Sequence, residues 1–186
     1  MRIVIAFVVF IVMLSPTTGA AQKRVYLTEE KALEKVLGKT VTTREQTISL
    51  SGAEADMLES EFNITILDSV YIFHQAVEDG NVVRSAVIMN ILGQHQPITF
   101  IVGILPDGEV DRVEIMVYRE SRGSEVRRGA FLKQFEKKSL DDPIRVHDDI
   151  KNITGATISS RAVSDGVRLA LWLHQRLLVP EEGESP

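Results

Sequence analysis

The period of apolar residues changes several times along the chain, and each change marks an element. Residues 3–14 are an unbroken apolar run behind Met1 and Arg2, and residues 15–21 are small and polar. That layout is a secretory signal peptide or, counted on through Ala21, an N-terminal membrane anchor. Thr28 precedes Glu29 and Glu30, Ala32, Leu33 and Val36 share a face, and Gly38 follows, which predicts a short amphipathic helix. Residues 39–50 are rich in threonine and alternate weakly, so they are expected to be extended. Ser51 and Glu54 form a capping-box pattern opening a second helix through about Glu61. From Ser69 the period becomes two: residues 70–77 and 82–89 flank Asp79-Gly80, and residues 98–105 and 109–118 flank Pro106-Asp107-Gly108, predicting two hairpins.

Residues 121–137 return to a helical period, with Val126, Ala130, Phe131 and Phe135 on one predicted face. A last helix, beginning near Ser160, carries Val163, Val167, Ala170, Leu171, His174 and Leu178 at helical spacing until Pro180 ends it. Trp172 and Leu173 widen its apolar surface. These elements predict an α+β fold, a largely antiparallel sheet with flanking helices in a single domain. The expected organisation is a signal or anchor at 1–21, a helical and extended segment at 22–68, the main body at 69–179 and a disordered acidic tail at 180–186.

Composition narrows the chemistry by exclusion. The 186 residues carry 21 basic and 26 acidic side chains, a net charge of −5, and no stretch is both basic and aromatic, which argues against a nucleic-acid partner. The absence of cysteine removes disulfides, thiolate catalysis and thiolate-held iron–sulfur clusters. The four histidines are scattered and none forms a metal-binding helical pair. No serine lies in a nucleophile motif, and Gly38-Lys39-Thr40 lacks the earlier glycine of a phosphate loop.

The stretch from Asp149 through Ser164 is the chemically distinctive one. Thr154, Gly155, Ala156, Thr157, Ser159 and Ser160 place a glycine and several hydroxyls just ahead of a long helix. Such a site suits a phosphate, since glycine lets the backbone approach and the helix start offers unpaired N–H groups; plain helix capping uses the same residue types.

Thr154-Gly155-Ala156-Thr157-Ile158-Ser159 resembles the flavinylation motif of the FMN-binding domain family, in which Ser/Thr-Gly-Ala-Thr is followed by one residue and a hydroxyl. Glu120-Ser121-Arg122-Gly123, after a strand carrying Tyr118, is similar to the family's Glu-Thr-Pro-Gly, with arginine in place of proline. The resemblance covers residues 69–178. It implies FMN as cofactor, joined through a phosphoester to Thr157 by a flavin transferase outside the cytoplasm, with Thr154, Gly155, Ala156, Ser159, Ser160, Tyr118, Glu120 and Gly123 around it. It further implies an electron carrier, periplasmic or otherwise extracytoplasmic, with a membrane redox complex as partner and membrane contact through the N-terminus. The family's aspartate six residues before the acceptor is Lys151 here, with Asp149 two residues upstream. That departure motivates an alternative in which FMN is held without the ester, by a carrier or a small reductase; an alternative of another class is a periplasmic interaction module without flavin.

Overall fold

The computed structural model describes residues 23–39 and 42–178. The N-terminal apolar run and the acidic tail, on which the export and disorder expectations fall, lie outside the described residues. In chain order the elements are strand β1 (Arg24–Val25), helix α1 (Glu29–Leu37), β2 (Thr42–Ser49), α2 (Gly52–Phe62), β3 (Val70–Glu78), β4 (Asn81–Leu92), β5 (Pro97–Ile104), β6 (Val110–Tyr118), the short helix α3 (Gly129–Leu132) between two 3-10 turns, and α4 (Thr157–Leu178). Among the described residues no helix is long and apolar enough to cross a membrane.

Both hairpins form where expected. Asp79 and Gly80 have φ of 49° and 81°, the paired positive values that a two-residue turn between twisted strands requires. The strands build one antiparallel sheet in the order β1-β6-β5-β4-β3-β2, so the two edges come from the segment before residue 69. Helix α1 begins at the Thr28 cap, and α2 begins at Ser51, whose reciprocal bonds with Glu54 complete the capping box. The α+β, antiparallel, single-domain expectation therefore holds.

Strand alternation sorts the core into two layers. Val87, Met89 and Ile91 of β4 point to the face covered by α4 and α2, and Ala86 points to the face covered by α1. Helix α4 lies close on β4 and β5 because Gly166 sits at the crossing: a Cβ there would come within 2.5 Å of Ile91 Cγ1 and 2.6 Å of Phe100 Cζ. His174 is buried on the same face beside Phe73, and burial lowers its pKa.

Three expectations need correction. The single helix over residues 121–137 is instead a 3-10 turn at Ser124–Arg127, α3, and a second 3-10 turn at Lys133–Phe135. Arg128 interrupts it with an extended backbone (ψ 132°). The cause is the spacing of the buried residues: Phe131 is five positions after Val126, so a continuous helix would turn it about 140° away. The break returns Val126, Phe131, Leu132 and Phe135 to the core and leaves Ala130 exposed. The last helix starts at Thr157 rather than near Ser160, because a turn closed by Ala156 N–H on the Ile153 carbonyl (2.9 Å) feeds straight into it. Leu178 at its end is exposed, off the buried stripe.

Gly166→Ala separates helix propensity from packing. Propensity alone would favour alanine by about 1 kcal/mol, whereas overpacking the crossing is expected to cost about 1–3 kcal/mol. Urea unfolding is expected to show net destabilisation, and an unchanged or raised midpoint would refute the tight crossing.

Candidate functional site

A cleft of about 310 Å³ opens where the chain leaving β6 meets the start of α4. One wall is Glu120, Ser121, Arg122 and Gly123; the other is Gly155, Ala156, Thr157, Ile158 and Ser159, with Gln94 contributed by the β4–β5 connection. Tyr118 clips these walls together from beneath. It is fully buried, its hydroxyl donates to the Arg122 carbonyl, and it shares a 2.8 Å hydrogen bond with Ser159 Oγ. Burial raises the phenol above its usual pKa, against the opposing pull of Ser159, so the hydroxyl stays protonated and keeps donating.

Gly123 makes this closeness feasible. Its φ is 89°, and a Cβ there would stand 2.6 Å from both Ser159 Oγ and Tyr118 Oη. Glu120 lines the cleft but is only 6% exposed, and its Oε1 accepts the backbone N–H groups of His95 (2.5 Å) and Gln96 (2.9 Å). It thereby fastens the β4–β5 connection to the cleft wall through charge-assisted bonds.

The helix start supplies the donors. Gly155 has φ of 81° and redirects the backbone into α4. Among the described residues the N–H groups of Thr157, Ile158 and Ser159 have no acceptor, and the first bond of the helix is Ser160 N–H to the Ala156 carbonyl at 2.8 Å. Three unpaired N–H groups at the positive end of a 22-residue helix, on residues that line a cleft, suit a phosphate.

Thr157 Oγ1 accepts a hydrogen bond from Asn152 Nδ2 at 2.8 Å, and Asn152 Oδ1 is buried with no partner among the described residues. Asn152 is positioned from the residue before it: Lys151 N–H donates to Gln134 Oε1 (2.7 Å), and Gln134 Nε2 donates to the Lys151 carbonyl (3.3 Å). Asp149 is engaged elsewhere, with Lys138 Nζ 2.6 Å from Oδ2 and the N–H groups of Arg145 (2.8 Å) and Ile144 (3.2 Å) donating to its two oxygens. Burial alone would raise its pKa, but Lys138 and the two N–H donors outweigh burial and hold the carboxyl below its usual value.

The structure thus brings Gly155, Ala156, Thr157, Ser159, Glu120 and Gly123 around one cleft. Tyr118 supports it without lining it. Thr154 is exposed outside the walls, and Ser160 is fully buried with its hydroxyl unpartnered. Asn152 and Gln94 were not anticipated from sequence. Asn152 lies in no recognisable spacing, and Gln94 arrives through strand pairing. Among the described residues no cluster of three metal-ligating side chains exists.

An antiparallel α+β fold with a helix start beside a strand exit offers a cleft suited to a phosphate-bearing ligand. Residues 93–172 match the family model of the FMN-binding domain. That match, over 80 of the 186 residues, indicates FMN as the cofactor. Among solved structures, NqrC from Shewanella oneidensis matches with a TM-score of 0.51 at 14% identity, covering 74% of this chain and 85% of that one, a likeness of fold. No curated protein matches the chain. The cleft donors fit the phosphate end of FMN, which supplies the redox chemistry when bound.

Two outcomes test the site. Gly123→Ala is expected to weaken FMN uptake at least about tenfold, or about 1.4 kcal/mol, in a flavin fluorescence titration. Asp149→Asn is expected to lose about 1–3 kcal/mol at pH 7. Because the folded-state pKa of Asp149 is depressed, its contribution is present above the unfolded value near 3.8 and vanishes as pH falls through the folded one. The gap between wild type and variant in denaturant midpoints must therefore close in acid; a gap constant from pH 7 to pH 2 would refute the assignment.

Proposed function

We propose that this chain is an exported electron carrier whose FMN is joined to Thr157 through its phosphate. The observation that carries the reading is the position of Thr157 Oγ1: it stands in the first turn of α4, on the wall of the cleft, held by Asn152 beside three unpaired N–H groups. Attachment requires an activated flavin nucleotide, a phosphoanhydride, and a flavin transferase. Thr157 Oγ1 gains the bond to phosphorus and loses its proton, and the phosphate leaving group departs with the electron pair of the broken anhydride. No oxidation state changes. The N–H groups of α4 then face the remaining negative charge, a contact worth roughly 0.3–1 kcal/mol at an exposed site.

The protein's own residues hold and orient. Gly155 and Ala156 keep the approach to Thr157 free of bulk, Ser159 and Ser121 put hydroxyls on the walls, and Tyr118 fixes the distance between the walls. The carrier would pass electrons within a membrane redox complex, outside the cytoplasm, as the apolar N-terminus and the family resemblance suggest.

One observation favours a second reading, FMN held without the ester. The family's aspartate is Lys151 here, and Asp149 cannot substitute because both its oxygens are engaged within the fold. Intact-mass and peptide mass spectrometry of protein coexpressed with a flavin transferase decides between them. The expected result is flavin on the peptide containing Thr157, absent from Thr157→Val. Yellow protein that loses all its flavin on denaturation would establish the non-covalent reading instead.

A further inference from the structure

Helix α4 carries a second chemical feature, away from the cleft. Arg161, Asp165 and Arg168 follow Thr157 at intervals of four, four and three, so they continue one face of the helix; Asp165 lies about 12 Å along the axis from Thr157. There a pocket of about 210 Å³ opens against the end of α2 and the loop following Pro143, and it shares no residue with the flavin cleft. Arg145 reaches it from a loop with unusual backbone: Ile144, β-branched and fully buried, has φ of 46°, and His147 has φ of 74°. The Asp149 carboxylate pins that loop through the N–H groups of Ile144 and Arg145.

The Arg168 side chain is 13% exposed, yet its guanidinium has no hydrogen-bond acceptor among the described residues. The nearest carboxylate oxygen, on Asp165, is 3.8 Å away, beyond bonding reach. Its other neighbour is the Phe62 ring, with the guanidinium carbon 4.5 Å from the centroid. The guanidinium pairs loosely with Asp165, keeps access to water and is free to take a further oxygen acceptor, and the proximity of Arg145 adds repulsion; burial first and then Arg145 lower the Arg168 pKa. The pocket lining sets Arg145, Arg161 and Arg168 against Glu61 and Asp165, three cations to two carboxylates.

We infer that this pocket binds a small oxyanion, a carboxylate, sulfate or phosphate group, gripped by Arg145, Arg161 and Arg168, with Phe62 and Val146 as its apolar wall. The fork of a guanidinium matches such a group in two-point bonding. The charge excess depends on pH. Burial pushes Asp165 up to about 6, outweighing the pull of Arg168, Arg145 and Arg161. Below that pH Asp165 is neutral and Glu61 is the carboxylate left in this pocket's lining, while Asp141 and Asp142 line the adjoining pocket that shares Arg145 and Arg168.

Sulfate is the direct probe, since it keeps its charge across the range. Titration at constant ionic strength, followed by calorimetry and by the arginine side-chain N–H resonances, is expected to saturate and to shift Arg145, Arg161 and Arg168. Affinity is expected to rise about three- to tenfold from pH 7.5 to pH 5, about 0.7–1.4 kcal/mol, and Asp165→Asn is expected to remove that dependence. Arg161→Gln, at an exposed position, is expected to weaken binding about tenfold while leaving the far-ultraviolet spectrum unchanged. Phenyl phosphate is the second arm: tighter binding than sulfate identifies the head of an organic molecule as the ligand, and equal binding identifies a free inorganic oxyanion. A non-saturating response, or one unchanged in Arg161→Gln, overturns the site. The readout needs no flavin, so it stands or falls apart from the assignment of Thr157.

Discussion

The closeness with which α4 crosses the sheet is the constraint on which the rest depends. At Gly166 the helix backbone approaches Ile91 and Phe100 so nearly that no side chain fits between them. A 22-residue helix seated this firmly behaves as a rigid beam, and its first turn is placed by a contact two and a half turns away. Thr157 therefore inherits its position from packing in the core. A ligand that must meet several donors at once gains from such rigidity, because the donors do not have to be ordered when it arrives.

The other wall of the cleft is fixed by polar bonds. Tyr118 and Glu120, two residues apart at the end of β6, use a hydroxyl and a carboxylate to tie down two different neighbours, the helix start and the β4–β5 connection. Both side chains are buried, so each bond is made away from competing water, and loss of one partner would leave the other unsatisfied. Their work as fasteners also accounts for an acidic residue in the wall of this cleft: Glu120 Oε1 is turned to the N–H groups of His95 and Gln96, which it accepts.

Much of the fold was legible because its signals are local. Asp79-Gly80 and Pro106-Asp107-Gly108 specify turns by backbone conformation, and Ser51 with Glu54 specifies a helix start by reciprocal bonding. The segment after Gly123 was misread because Val126 and Phe131 lie five apart, a spacing that only tertiary burial resolves into two turns and a break. Within the site, the stretch from Thr154 to Ser159 was readable as a string, but the parts played by Tyr118 and Glu120 were not, since their partners lie 41 and 25 residues away. Asn152 was invisible for another reason: nothing in its neighbours announces that Gln134 will hold the preceding peptide and turn its amide toward Thr157.

The distance in sequence between the cleft's two walls has a temporal consequence. Residues 120–123 and 155–159 meet only where β6 is in the sheet and α4 is docked on it, so the site exists only in the folded chain. A nascent or unfolded chain displays the same threonine with none of its surroundings. Any agent that reads Thr157 in its cleft must therefore act on finished protein, and the place where this chain folds is also where its site first exists.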